Sequence, residues 1–332
     1  MNGIINVYKE PGFTSFDVVA KLKGMLKTKK IGHTGTLDPE AVGVLPICVG
    51  NATKVCDLLM DETKEYIAVL RLGMSTDTLD TSGVVVNENE ALGLSLGDDE
   101  IQKVVNGFLG EIEQIPPMYS ALKVNGKRLY ELARAGENVE RKPRRVRIFE
   151  IEILEPDFNR NELLTSSGKK VLSLDDFITI GQKNDEKEYR KVFLRVVCSK
   201  GTYIRTLCDD IGNMLGCGGC MEALVRTRVG MFEANKAYRL MELQKLVDDE
   251  NIEKSLISVD SIFDSYPKVY VKEEGYKVLV NGNQIPENYL TINEQELKSR
   301  ESYRVYNIEG RFFGIYEYHS GWKVLKPLKM FL

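Results

Sequence analysis

The residue best placed to do chemistry is Asp38, in the segment Lys30-Ile31-Gly32-His33-Thr34-Gly35-Thr36-Leu37-Asp38-Pro39-Glu40-Ala41-Val42-Gly43-Val44-Leu45-Pro46. No helical or strand period runs through this stretch. Gly32 and Gly35 are free to take positive φ. Pro39 biases Asp38 away from the α region. Asp38 is therefore expected on a stiff loop that presents its carboxylate to a pocket with little freedom to turn away. The plainer alternative is a Gly/Pro turn with a solvated aspartate.

The wording of the loop is more specific than its composition. It resembles the catalytic motif of the TruB family of tRNA pseudouridine-55 synthases, G-H-x-G-x-L-D-P-x-A-x-G-x-L-P. Every fixed letter is present as Gly32, His33, Gly35, Leu37, Asp38, Pro39, Ala41, Gly43, Leu45 and Pro46. Further segments carry the same resemblance. Lys9, Pro11, Gly12, Thr14 and Ser15 follow K-P-x-G-x-[ST]-S in outline, with Glu10 inserted after the lysine. Tyr66 matches a tyrosine that stacks on the target base and is implicated in proton abstraction. Asp77-Thr78-Leu79-Asp80 resembles T-D-T-x-D-x-x-G, and Asp80 reads equally as part of an active-site charge network or as an Asx-turn. Cys198-Ser199-Lys200-Gly201-Thr202-Tyr203-Ile204-Arg205-Thr206 resembles a signature whose arginine pairs with the catalytic aspartate and whose tyrosine packs on the target nucleoside. Leu224 matches an apolar residue lining the base pocket. An arginine beside Asp38 would favour its ionised form.

The chain around these residues has 332 positions, 43% hydrophobic and 28% charged, a globular balance that suggests about two domains. No apolar run approaches a membrane span, and Met1-Asn2-Gly3-Ile4 does not open a signal peptide. A cytoplasmic, membrane-free protein is expected. Six cysteines are too few for a disulfide scaffold. Cys217 and Cys220 have CxxC spacing without a second pair, so packing thiols are preferred over a metal, and no metal or cofactor is expected. The net charge of −4 disfavours nucleic acid when taken alone. Its distribution does not: residues 123–147 hold nine Lys/Arg against three Glu. That run includes Lys123, Lys127, Arg128 and Arg134, and a local positive field attracts phosphate.

Along the chain, residues 3–8, 45–50, 65–72, 145–154 and 190–198 read as strands. Helices are expected after Thr14 or Ser15, from Asn51 to Met60, over 98–109, from about Ile204 to Leu215, and through 240–265. Residues 114–142 resemble the family's thumb, with a turn at Asn125-Gly126 and a short basic helix. Residues 157–188 read as an insertion between paired strands, a surface excursion. The last part, with turns at Asn281-Gly282 and Glu309-Gly310, resembles a PUA-type RNA-binding barrel.

The resemblance implies an α+β (mixed α/β) fold. A catalytic domain over 1–265 has a central, mostly antiparallel sheet and flanking helices, and a small PUA-like barrel occupies 268–332. It implies base flipping and conversion of uridine to pseudouridine in the T arm of tRNA. Asp38, Tyr66 and Arg205 would be catalytic. His33, Lys9, Asp80, Tyr203, Leu224, Lys123, Lys127, Arg128 and Arg134 would touch RNA. The expected partner is tRNA, with the protein a monomer and no obligate protein partner. The sequence leaves open whether Asp38 attacks the ribose or takes one of its protons. Other readings are a guide-RNA-dependent synthase, a non-catalytic tRNA-folding protein, or a glycoside hydrolase using Asp38 and Asp80. The basic thumb and the single tryptophan fit RNA better than carbohydrate.

Overall fold

The computed structural model describes all residues except 125, 138, 158–159, 169, 174–186, 292–296 and 332. A twelve-stranded sheet forms the body of the molecule. In chain order its strands are β1 (Gly3–Lys9), β2 (Ile31–His33), β3 (Val42–Val49), β4 (Lys64–Leu72), β5 (Gly110–Gln114), β6 (Arg144–Asp157), β7 (Glu162–Leu164), β8 (Lys170–Ser173), β9 (Arg190–Cys198), β10 (Gly219–Val229), β11 (Phe232–Glu233) and β12 (Leu256–Ile257). The spatial order is β8-β7-β6-β9-β4-β10-β3-β1-β12. Outside that row, β11 pairs with β10, β2 with β3 and β5 with β6. Neighbours run antiparallel except β10 and β3, which run parallel where Val225 and Arg226 face Val42 and Gly43.

Strand periodicity sorts the side chains to two faces. Tyr66, Ala68, Leu70 and Leu72 of β4 join Val192, Leu194, Val196 and Cys198 of β9 on one face. Helices Asp98–Asn106 and Ile204–Met214 cover that face with Ile101, Val105, Ile204, Leu207 and Ile211. The alternate residues Ile67 and Val69 face the other side with Ala223 and Val225. At the far end, helix Ser15–Leu26 lays Val18, Val19 and Leu22 on Ile5, Val7, Leu45 and Ile47. Thr14 begins this helix in a capping box with Asp17.

The second sheet has six strands, β13 (Lys268–Val271), β14 (Ile285–Pro286), β15 (Leu290–Thr291), β16 (Ser302–Asn307), β17 (Phe312–His319) and β18 (Val324–Met330). Their order, β14-β18-β17-β16-β13-β15, wraps into a barrel-like shape around Tyr303, Val305, Phe313 and Tyr316. The chain is thus mixed α/β, as its sequence leads one to expect. The barrel-like sheet packs on the body through Phe263, Phe312 and Phe331, whose rings lie 5.4 to 6.4 Å apart.

Some expectations need correcting. The helix expected through 240–265 ends at Asp248. Glu250 then takes φ +55°, and Leu256 and Ile257 pair with Ile5 and Ile4 as an edge strand. Asn51–Met60 is a 3-10 turn over Gly50–Val55 followed by a short helix, Cys56–Asp61. Asn281-Gly282 ends helix Tyr276–Val280, and the Glu309-Gly310 turn joins β16 to β17. The described part of the insertion lies at the edge of the large sheet. It forms β7 and β8, which extend the sheet beyond β6, and Leu163 is fully buried among Leu154, Ile67 and Val69. The part of the insertion over 174–186 lies outside the described residues. Leu163→Ala is expected to cost about 2–4 kcal/mol in urea unfolding; a change near zero would mean that the hairpin contributes nothing to the core.

Candidate active site

Asp38 stands on the loop between β2 and β3, as its Gly/Pro setting implies. Gly35 takes φ +131° in that loop, whereas Gly32 lies inside β2 without a positive φ. The loop is gripped from several directions. Ser15 Oγ accepts from the Leu37 amide at 2.9 Å. The Gly12 amide donates to the Pro39 carbonyl at 3.1 Å. Lys9 Nζ donates to the carbonyls of Pro39 (2.8 Å), Phe13 (2.6 Å) and Glu10 (3.2 Å).

Lys9 therefore departs from the expectation that it touches RNA. Its ammonium has three donors, all of them are committed to main-chain carbonyls, and the residue is fully buried. Burial lowers its pKa to about 8, against the pull of Glu40 and Asp38. Its observed work is to fix the Asp38 loop.

Arg205, the second residue of helix Ile204–Met214, meets Asp38 from the opposite side. Its Nε lies 2.9 Å from Asp38 Oδ2, and its Nη2 donates to Asp38 Oδ1 at 3.1 Å. The same guanidinium donates to the Thr78 carbonyl at 3.2 Å and the Tyr119 carbonyl at 2.7 Å, and approaches Asp80 Oδ2 at 3.5 Å. Asp80 both closes a turn and faces Arg205. Its Oδ1 accepts from the Ser82 amide and Thr78 Oγ1, an Asx-turn, while its Oδ2 faces Arg205.

Surrounding protein pushes the Asp38 carboxyl above its ordinary range, and Arg205 and Lys9 pull it back down. Solvent still reaches 38% of the Asp38 side chain. The upward push is thus that of a half-open site rather than a sealed core. Beside Thr78 and Tyr119, the carbonyl partners of Arg205, opens a cleft of about 400 Å³ lined by Thr76, Asp77, Leu79, Pro117, Tyr119 and Arg141.

Tyr66 and Leu224 lie in one buried cluster with Leu37 and Ala41, the neighbours of Asp38 in its own loop. Burial raises the Tyr66 pKa. His33 is half-buried at the end of β2, its Nδ1 accepting from the Gly35 amide at 3.3 Å, and burial lowers its pKa. Tyr203 precedes the Arg205 helix, with its amide and carbonyl held by the Gln114 side chain at 3.0 and 3.2 Å. Lys123, Lys127, Arg128 and Arg134 are not part of this cluster. They are exposed on the hairpin Lys123–Val124/Lys127–Arg128 and the helix Leu129–Arg134.

Arg226, Gln114 and the Tyr119 carbonyl were not singled out by sequence. A signal for Arg226 exists: in a strand it shares a face with Leu224, two residues earlier. Gln114 ends β5, where it is buried and bonded to Tyr203. Backbone carbonyls leave no trace in residue type.

Residues 23–171 match the family model for the TruB family pseudouridylate synthase N-terminal domain, and residues 205–264 that for the tRNA pseudouridylate synthase B C-terminal domain. The tRNA pseudouridine synthase B of Lachnoclostridium phytofermentans is 50% identical over 333 residues, spanning 100% of both chains. That of Clostridium kluyveri is 45% identical over 316 residues, 95% of each. This chain belongs to the TruB family of pseudouridylate synthases. A similar fold also appears among solved structures. A chain of a Cbf5-Nop10-Gar1 complex is 26% identical with a TM-score of 0.65, covering 99% of this chain and 85% of its own. A chain of an H/ACA RNP bound to a substrate RNA is 24% identical with the same score, a likeness of fold. Among the described residues, no helix is long and apolar enough to cross a membrane.

The raised Asp38 pKa carries a sign for stability. The folded state holds the Asp38 proton more tightly than the unfolded chain, so stability is lost as pH rises from the ordinary aspartate range through the folded value. Asp38→Asn is expected to melt above the wild type at pH 8, with the difference closing as pH falls below about 4. Equal melting temperatures at pH 8 would contradict this reading of the site.

Proposed function

We propose that this TruB-family chain isomerises uridine to pseudouridine at position 55 in the T-arm loop of tRNA. The observation that carries the reading is the Arg205–Asp38 pair at 2.9 Å, open to solvent on one side and set near Tyr66 and Leu224. The reaction breaks the bond from ribose C1′ to uracil N1, turns the ring and joins C1′ to C5. N1 gains a proton and C5 loses one, so atoms balance without an oxidant, a phosphate donor or a metal.

The uridine must leave its loop to reach Asp38. His33, at the end of β2, fills part of the vacated space, and Tyr66 and Tyr203 stack on the extruded nucleoside. Leu224 lines the base pocket. Asp38 in its charged form attacks the ribose or takes one of its protons. Arg205 keeps it charged and aimed, with Asp80 holding the far side of the guanidinium. Tyr66 takes the C5 proton as its phenolate, the form that burial disfavours and the adjacent Arg226 favours.

Lys123, Lys127, Arg128 and Arg134 on the thumb, about 114–142, hold the phosphates of the RNA stem. The barrel-like unit over 268–332 is read as a PUA-like RNA-binding domain attached to a catalytic domain over 1–265. The protein works in the cytoplasm as a monomer without cofactor. A guide-RNA-dependent reading is the runner-up, because one structural relative is a chain of a Cbf5-Nop10-Gar1 complex. The basic thumb and the full-length similarity to tRNA pseudouridine synthase B favour the stand-alone enzyme.

The purified protein alone, given an unmodified tRNA transcript, is expected to yield one carbodiimide-dependent primer-extension stop, at the T-arm uridine. Asp38→Asn should give no stop while still binding tRNA. A wild-type protein that binds tRNA without producing a stop would favour the guide-dependent or binding-only reading. Replacing Lys127, Arg128 and Arg134 together by Ala should weaken tRNA binding. The slope of log K against log salt should then flatten by roughly 0.9 for each phosphate no longer neutralised.

A further inference from the structure

Arg226 is among the largest fully buried side chains of the molecule, with 1% of its surface exposed. Among the described residues it has no carboxylate partner, and its neighbours Lys9 and Lys64 are also buried cations. A desolvated guanidinium without a counter-ion is costly to fold around. Stability alone therefore does not account for it.

Its hydrogen bonds point to another role. Nε donates to the Val44 carbonyl at 2.7 Å, Nη2 to the Gly35 carbonyl at 3.2 Å and Nη1 to the Thr36 carbonyl at 3.4 Å. Gly35 and Thr36 lie just before Asp38 in the loop, and Val44 lies in the strand after it. Across the sheet, Arg226 is the register partner of Tyr66, and the phenol lies beside its guanidinium. Burial raises the Tyr66 pKa while Arg226 lowers it. The guanidinium is planar and its donors form a rigid fork, so one group fixes all these atoms relative to one another. Gly43 makes room for it. A Cβ there would lie 2.2 Å from the Arg226 carbonyl oxygen, and φ is +107°.

We propose that Arg226 is a positioning residue that holds the Tyr66 hydroxyl and the Asp38 loop at a fixed separation for proton removal from C5 of the flipped uridine. The inference rests on the reading of Tyr66 given above and adds the group that places it. Lysine at 226 keeps the charge but not the fork, so it cannot hold the same carbonyls together.

The test is a double-mutant cycle on the full-length protein with a T-arm stem-loop RNA, following single-turnover pseudouridine formation. Arg226→Lys is expected to slow the step about 30- to 100-fold, the scale of a sub-ångström to ångström misplacement, with RNA affinity unchanged within about twofold. In a Tyr66→Phe background the same change should slow the step by less than about threefold, because proton removal then limits the rate and no longer depends on how far Tyr66 is held from the Asp38 loop. A full additional slowing in the double variant, or a wild-type rate for Arg226→Lys, overturns the proposal. If Arg226→Lys does not fold, Arg226→Gln takes its place with the same expectations. A wild-type rate for Tyr66→Phe would reject the role of Tyr66 and this inference with it. A slow Tyr66→Phe beside a normal Arg226→Lys rejects this inference alone.

Discussion

The site is organised by one desolvated guanidinium. Arg205 has only 7% of its side chain exposed, and its donors reach stretches of chain far apart in sequence: Asp38, Thr78 with Asp80, and Tyr119. A buried arginine left without partners is heavily penalised, so these stretches must assemble around it together. Asp38 alone would not suffice to hold the guanidinium, because solvent reaches part of the carboxylate. The main-chain carbonyls of Thr78 and Tyr119 satisfy the rest. The Tyr119 bond also ties the stretch before the hairpin Lys123–Val124/Lys127–Arg128 to Asp38 through a single side chain. Gln114 reinforces that link by clasping Tyr203, two residues before Arg205.

A second layer keeps the Asp38 loop from relaxing. Lys9, Gly12 and Ser15 come from one short segment that runs from the last residue of β1 to the first residue of the helix Ser15–Leu26, and each bonds the backbone of the loop. This gives a physical sense to the motif from Lys9 to Ser15. Its lysine faces inward, where main-chain carbonyl oxygens take up its three donors. Arg226 does the same from the sheet side. Buried cations on carbonyls and a buried arginine on a carboxylate thus fix the loop by directed bonds, which constrain orientation as packing alone does not.

Charge is segregated in the same spirit. The chain is acidic overall, yet Lys123, Lys127, Arg128 and Arg134 are exposed to solvent on a hairpin and a short helix. The cations around the Asp38 loop are buried and bonded within the protein. The exposed charges are screened by solvent, and the buried ones act over short range at nearly full strength.

The order of amino acids was enough for most of the strands, the Asp38 loop, the pairing of Asp38 with Arg205 and the family. Local signals suffice for these: alternation in β4 and β9, the capping box at Thr14, and dense motifs whose spacing admits few alternatives. The sequence alone does not show that Lys9 faces inward, that the helix from 240 stops at Asp248, or that 162–164 and 170–173 pair as a hairpin. Each of those depends on what lies across space. A lysine reads as solvent-facing until carbonyls from other parts of the chain are seen to surround it. An edge strand such as Leu256–Ile257 exists only because β1 offers it a free edge, and Leu163 is core only because β6 extends far enough to carry it. Arg226 is the sharpest case. Its type and position were plain in the chain, but its partners are backbone carbonyls and a cross-strand phenol, and only the folded sheet brings those to one guanidinium.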